Sequence, residues 1–378
     1  MQISNHVARK AGPTVQKRID ALKIGQKMQD LPEELWHESF RFYVKDDPNR
    51  VGGPNLRMIR LDPAKPSLTV TGYVFNKFVH PYENRFITVR EAARLQGFPD
   101  AVVFEGSLSD AQMQVGNAVP PPLAQAVFQS VLAHAASAGL PRTLWGLSCF
   151  SGAGGMDIGA LSAESKGRRI ETRLSFDHWK EACATLQNYL AAAACDGCVM
   201  NTDALNIENP VEFWRKHSNA GRKPDIVFGG PPCQAFSQAG KQLAVSDERG
   251  TLVFEFVRLV SELKPSYFVM ENVANLRGVG GGELYKEVLS RFENLGYNVT
   301  ETLLLAADFG VPQLRRRIFL IGCLEELGKV DPPVPTHSGT PGLFGLKPYV
   351  TVGEAFAGLP ANARHADEPV PVYQTLIT

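Results

Sequence analysis

The stretch LWGLSCFSGAGG, residues 144–155, is a short apolar run that breaks into glycines. A run of that length bounded by a turn suits a buried strand. Glycines at a strand-to-helix turn let the backbone approach a nucleotide-like ligand, because no Cβ stands in the way. The order is FxGxGG rather than GxGxxG, so a dinucleotide fold is the poorer match, and a tight turn without a ligand is the other open reading. Outward from this stretch, TRLSF, DIVFGG, SYFVM and RIFLIG repeat the short apolar run. Amphipathic stretches lie between them, at 181–189, 252–263 and 284–295. Strands alternating with helices predict an α/β fold, with a mainly parallel sheet covered on both faces.

Upstream the pattern is different. Residues 1–60 are polar and weakly periodic, with a helix expected over 14–24 and stopped by Gly25. Prolines and glycines mark 45–66 as turns and loops. TVREAARLQGF at 88–98 offers Thr88 as N-cap, Glu91 at capping-box spacing and Gly97 as a stop. A second helix is expected over 121–136, with prolines in its first turn. Residues 331–347, rich in Pro and Gly, read as a linker.

The 378 residues suffice for one or two domains, and 44% hydrophobic with 21% charged residues is ordinary for a soluble protein. No apolar run approaches the ~20 residues of a membrane span, and no apolar signal core follows the N-terminus, so a cytoplasmic protein is expected. The six cysteines are too sparse for a disulfide scaffold. Cys195 and Cys198 form a lone CxxC without a second ligand pair, so no metal is expected. Net charge is zero, but residues 1–60 carry 11 Lys/Arg against 7 Asp/Glu, and Arg315, Arg316 and Arg317 form a second basic cluster. Solvated faces and a phosphate-tracking surface are equally open readings.

Four groups could carry chemistry. Cys233 follows DIVFGGPP on a loop stiffened by two prolines, beyond the end of a strand, where open α/β sheets bind ligands. A thiolate there is a candidate nucleophile; a structural cysteine is the alternative. Glu271 directly follows an apolar strand, and if desolvated it would hold a proton near neutral pH. Alternation puts Arg315 and Arg317 on one side of the chain, suited to a phosphate or a carbonyl oxygen, or to guarding an edge strand. Asp177 and Asp203 stand near strand ends, where a carboxylate would suit ribose hydroxyls and an adenine amino group.

Together these segments resemble the DNA (cytosine-5)-methyltransferase family, bacterial type. FSGAGG at 150–155 looks like its first motif, GGPPCQAFSQAG at 229–240 its fourth, ENV at 271–273 its sixth and QLRRR at 313–317 its eighth. DERGTL at 247–252 and DFGVPQ at 308–313 also match. RFITVREAARLQGFPD at 85–100 resembles the ninth motif and QVGNAVPPPLA at 114–124 the tenth. Here the ninth and tenth precede the first, and joining Thr378 to Met1 would restore the family's order. The chain thus resembles a circularly permuted member, in which the tenth and first motifs should be neighbours and residues 1 and 378 should share a domain.

The resemblance implies a Rossmann-like S-adenosylmethionine-dependent methyltransferase domain over 101–330. It implies a smaller target-recognition domain built from 1–100 and 331–378, with DNA between the two. Cys233 matches the family's nucleophile at cytosine carbon 6, Glu271 the acid at N3, and Arg317 the contact to O2. Arg315 matches a nearby phosphate or loop contact. For the cofactor, Phe150 resembles the residue stacked on adenine, with Gly152 and Gly154 on the backbone turn. Asp177, one methylene shorter than the family's usual Glu, would meet the ribose, with His178 beside it. Asp203 and Ala204 would meet the adenine, Asn117 would lie near the methionine end, Leu252 would pack on the cofactor, and Pro232 would shape the pocket beside Cys233. The implied partner is double-stranded DNA, met by a monomer, with a cognate restriction endonuclease acting on the same site but not necessarily bound. An RNA cytosine methyltransferase on the same fold and a catalytically silent DNA-binding relative are the alternatives.

Overall fold

The computed structural model describes residues 3–37, 58–72, 75, 77–232, 250–340, 342–360 and 363–365. Its centre is an eight-stranded sheet. The strands are β1 (Thr143–Cys149), β2 (Glu164–Ser165), β3 (Arg168–Asp177), β4 (Cys198–Asn201), β5 (Ile226–Gly229), β6 (Tyr267–Val273), β7 (Tyr297–Leu305) and β8 (Arg316–Leu324). They lie in the order β7-β8-β6-β5-β1-β3, and β2 and β4 share the outer edge of β3. β8 runs antiparallel to both β6 and β7, and β2 antiparallel to β3; the other pairs are parallel.

The five apolar runs seen in the sequence are strands β1, β3, β5, β6 and β8. Strands β4 and β7 were not legible as apolar runs: β4 is four half-exposed residues, and β7 carries polar Thr300, Glu301 and Thr302 at its middle. The expected helices form as Lys180–Ala192, Gly250–Leu263 and Glu283–Asn294. Alternation sends Ile226, Phe228, Val269 and Phe319 to one face, under the helix Pro121–Ser137. Val227, Phe268 and Leu320 go to the other, against Phe256 and Phe292. Both faces are covered, as continuous apolar strands require.

The segment resembling the tenth motif leads straight into this sheet. The helix Pro121–Ser137 ends five residues before β1 and packs on the helix Gly155–Ser162. Contact is backbone-close: a Cβ on Gly159 would sit 2.6 Å from that of Ala124, and one on Gly155 would sit 2.2 Å from the Val119 carbonyl oxygen. The expected proximity of these two segments is therefore present.

Around one end of the sheet the two ends of the chain share their packing. Val7 and Ala8 pair in parallel with Arg364 and His365. The Val352 and Gly353 amides donate to the Lys65 and Pro63 carbonyls, both at 2.9 Å. Val352 joins a buried cluster with Leu61, Val70, Phe75, Ile87, Leu95 and Phe98. The helix Val89–Leu95 starts as its sequence predicts, with Thr88 and Glu91 forming a reciprocal capping box. The helix expected over 14–24 is Pro13–Ala21, so it stops short of Gly25. A basic residue is buried here as well: Arg60, 4% exposed, donates to the carbonyls of Ile19, Leu22, His80 and Glu83 and to Asn84. Part of the positive surplus of 1–60 is thus structural. Residues 1 and 378 lie outside the described residues.

Gln313 locks this region to the sheet. Its side chain is fully buried; the amide nitrogen donates to the Leu95 carbonyl and to Gln96 Oε1, and its oxygen accepts from the Val70 amide at 2.7 Å. Gln96 in turn donates to the Val115 carbonyl at 2.7 Å. Gln313→Ala would leave buried donors and acceptors unpaired, and is expected to cost about 2–4 kcal/mol of stability. A urea unfolding free energy lowered by less than about 1 kcal/mol would contradict that role.

Candidate active site

Strand order reverses at β1, whose neighbours β3 and β5 lie on opposite sides. The crevice beyond the C-terminal ends of such strands is where open α/β sheets bind ligands. Three sequence segments meet there.

The first is the glycine turn after β1. Phe150 (φ 54°), Gly152 (φ 51°) and Gly154 (φ 83°) are all left-handed, a conformation that strains Phe150. The Phe150 ring is half-buried and tilts against Phe176, with centroids 6.0 Å apart. Asp177, at the end of β3, holds the turn: its Oδ2 accepts from the Gly152 amide and its Oδ1 from the Trp179 amide, both at 2.8 Å. A carboxylate offers about four acceptor positions, so these two bonds leave others for a ligand. His178 is exposed, and Asp177, 3.3 Å from its Nδ1, holds its pKa above the ordinary value. Asn201, which sequence reasoning did not single out, donates to the Asp177 and His178 carbonyls and fixes that corner. Asp203 caps a short turn through the Leu205 amide, and Ala204 is buried beneath it.

The second segment enters from β5. A Cβ on Gly229 would lie 2.1 Å from the Cys149 carbonyl oxygen, and one on Gly230 would lie 2.9 Å from Glu271 Oε2. Gly229 is therefore required by its approach to backbone, while a side chain at Gly230 would have to displace the Glu271 carboxylate. Asn272 donates to the Pro231 carbonyl at 2.9 Å, pinning the chain just before Pro232, which is half-buried. Cys233 lies outside the described residues, as do 234–249, which take in the first half of DERGTL. Leu252 is half-buried on the helix that follows.

The third segment is QLRRR beside β6. Glu271, 8% exposed, pairs with Arg317 across 2.8 Å. The two are diagonal neighbours on one face, since Glu271 stands opposite Phe319 and Arg317 opposite Val273. Burial pushes the Glu271 pKa up, against the pull of Arg317 and Arg315. Arg315 is 1% exposed and donates to the carbonyls of Val70 at 2.6 Å and Gly116 at 3.2 Å. These hydrogen bonds are to backbone carbonyls, one just after a short strand and one near the end of the helix Leu108–Asn117. Its Nε is buried without a hydrogen-bond partner, and Arg317 and Glu271 act on the guanidinium electrostatically. Arg316 points out, so the expected alternation holds. Asn117 is exposed at the end of its helix, next to Gly116, whose Cβ position is filled by the Gly72 backbone.

The glycine turn also carries an unpaired group. Ser151 Oγ is buried with no hydrogen-bond partner, and the space around a Cβ on Gly152 is open to 4 Å. An orphaned hydroxyl beside an open turn and a carboxylate fits a ligand rich in hydroxyl and amino groups. Among the described residues no group of His, Cys, Asp or Glu could hold a metal ion, and no helix is long and apolar enough to cross a membrane.

A mainly parallel sheet with this switch point, a glycine turn after β1 and a reversed strand inserted next to the far edge define a Rossmann-like methyltransferase fold. The profile of the C-5 cytosine-specific DNA methylase family matches residues 3–133 and 145–344, and the chain belongs to that family. Among curated relatives, it is 36% identical over 218 residues to the type II methyltransferase M.NgoFVII of Neisseria gonorrhoeae, covering 57% of this chain and 54% of that one. It is 37% identical over 246 residues to the type II methyltransferase M.AquIA of Picosynechococcus, covering 61% and 94%. To the type II methyltransferase M1.HphI of Haemophilus parahaemolyticus it is 38% identical over 216 residues, covering 57% and 52%. The chain thus spans about half the length of the first and third of these relatives.

Proposed function

We propose that this protein transfers a methyl group from S-adenosylmethionine to carbon 5 of a cytosine in double-stranded DNA, within a specific sequence, as the methylase of a restriction-modification system. The observation that carries this reading is the buried Glu271–Arg317 pair packed against Gly230, three residues before Cys233, beside the glycine turn of β1. The relatives named as type II methyltransferases support the restriction-modification context.

S-adenosylmethionine, when bound, supplies an electrophilic methyl group. Phe150, Gly152, Gly154, Ser151 and Asp177 would hold its adenosine end, with His178, Asp203, Ala204, Asn117 and Leu252 around it. Carbon 5 of cytosine is a poor nucleophile on its own. Addition of the Cys233 thiolate at carbon 6 makes it enamine-like. Glu271, whose pKa burial raises against the pull of Arg317, would share a proton with N3 and stabilise the adduct, and Arg317 would hold O2. Carbon 5 would then take the methyl group as its bond to sulfur breaks and S-adenosylhomocysteine leaves, and loss of the carbon-5 proton with β-elimination would release Cys233. The target base would be flipped out of the duplex to reach this crevice, at a cost of a few kcal/mol.

The chain order is that of a circular permutant, with a catalytic domain over 101–330 and a small recognition domain from 1–100 and 331–378. Three findings support it: the direct passage from the helix Pro121–Ser137 into β1, the family match in two blocks that meet between 133 and 145, and the pairing of Val7–Ala8 with Arg364–His365. A monomer suffices, since one chain supplies the whole site.

The test is a transfer assay with labelled S-adenosylmethionine, using unmethylated bacterial DNA beside transfer RNA. Label on carbon 5 of cytosine in DNA is the expected result. Label on RNA alone would move the substrate and keep the chemistry; no transfer to either, with cofactor bound, would favour a silent DNA-binding relative.

A further inference from the structure

Asp157 stands in the first turn of the helix Gly155–Ser162, directly after the glycine turn, and is 1% exposed. Its two carboxylate oxygens accept from two different strands: Oδ2 from Ser148 Oγ at 2.9 Å and Oδ1 from Ser175 Oγ at 2.7 Å. Ser148 of β1 and Ser175 of β3 are direct partners in the sheet, so their hydroxyls face the same side. Two residues beyond each serine come Phe150, in the turn that follows β1, and Asp177, at the end of β3. The helix carrying Asp157 is itself fixed, with Gly155 against the Val119 carbonyl and Gly159 against Ala124. The carboxylate therefore ties the ends of two strands to one rigid helix, immediately beneath the turn that would hold the cofactor.

We propose that Asp157 is a positioning residue for the cofactor, bracing the ends of β1 and β3 through Ser148 and Ser175 at the separation that sets Phe150 and Asp177. This rests on the cofactor reading above. An ionised carboxylate accepts from both hydroxyls at once; a protonated one must turn a hydroxyl around or lose a bond. Burial pushes the Asp157 pKa up to about 6. The titratable groups facing it are Asp177 on β3 and Cys149 on β1; the segment packed on its helix presents there the Val119 carbonyl and Ala124.

A folded-state pKa above the ordinary carboxylate value means the fold binds this proton more tightly than the unfolded chain does. Stability from Asp157 is then present below the ordinary value and lost as pH rises through about 6. A brace kept ionised at neutral pH against that cost predicts opposite signs for stability and binding. In the full-length chain, Asp157→Asn should leave the melting temperature at pH 7.5 unchanged or raised. It should weaken S-adenosylhomocysteine about tenfold by calorimetry. The wild type should lose affinity as pH falls from 7.5 to 5.5, and the variant should lack that dependence. Ser175→Ala, which keeps the carboxylate and removes one donor, should also weaken binding, and it covers the case in which the Asn variant does not fold. Wild-type affinity in both variants, or an unaltered pH profile in Asp157→Asn, overturns the brace while leaving the cofactor site standing. No binding by the wild type overturns the cofactor reading itself, and the brace with it.

Discussion

Replacing Cys233 with alanine is expected to abolish methylation of DNA, lowering it by at least about 10⁴-fold, the scale on which a covalent catalyst loses its nucleophile. The reason is electronic. Without addition at carbon 6, carbon 5 of cytosine has no electron pair to offer, and neither cofactor binding nor base flipping supplies one. Binding of S-adenosylhomocysteine should be retained, because the glycine turn and Asp177 belong to β1 and β3 rather than to the loop after β5. The decisive comparison is single-turnover transfer from labelled S-adenosylmethionine in the wild type and Cys233→Ala. Transfer within tenfold of wild type would remove Cys233 from the chemistry and return it to the ordinary role of a small structural residue.

Glu271→Gln is expected to lower transfer by roughly 10²–10⁴-fold, the range for removing a positioned acid. The amide preserves shape and a donor, but it cannot share a proton with N3 as charge develops. Burial raises the Glu271 pKa, with Arg317 opposing, so the protonated form persists above the ordinary carboxylate range. In stability the folded state binds this proton more tightly, and the contribution is lost as pH rises through the raised pKa. In rate the sign is the same: activity should decline on the alkaline side as Glu271 ionises, and that limb should vanish from the residual activity of Glu271→Gln. Arg317→Ala makes a useful contrast. At a pH where Glu271 is ionised it strands a buried carboxylate, and there it is expected to cost about 3–5 kcal/mol in stability, by the measure of broken buried ion pairs. If Glu271→Gln kept both wild-type rate and wild-type pH profile, the pair would be a structural ion pair only.

Much of this was legible in the residues themselves. Apolar runs bounded by turns marked five strands of the sheet, because continuous burial demands continuous apolar sequence. Thr88 and Glu91 marked their helix start because a capping box is a local arrangement. The spacing of Arg315 and Arg317 fixed their common side because strands alternate. Strands β4 and β7 escaped because a half-exposed edge strand needs no apolar run.

Other features depend on which surfaces meet. The sequence marked Gln313 as part of two motifs but not as a buried residue; its burial is decided by Leu95, Gln96 and Val70, which lie more than two hundred residues away along the chain. Arg315 could have met a phosphate or a loop, and the positions of Val70 and Gly116 decided which carbonyls it finds. Asp157 was not singled out in the sequence; its role as a brace depends on β1 and β3 placing Ser148 and Ser175 side by side against it. Sequence by itself determined the family and the alternation of strands and helices, and it marked the candidate reactive groups, because these rest on residue type and short-range spacing. Tertiary structure alone decided which polar groups are buried and paired, because desolvation and hydrogen bonding depend on neighbours that the chain supplies from elsewhere.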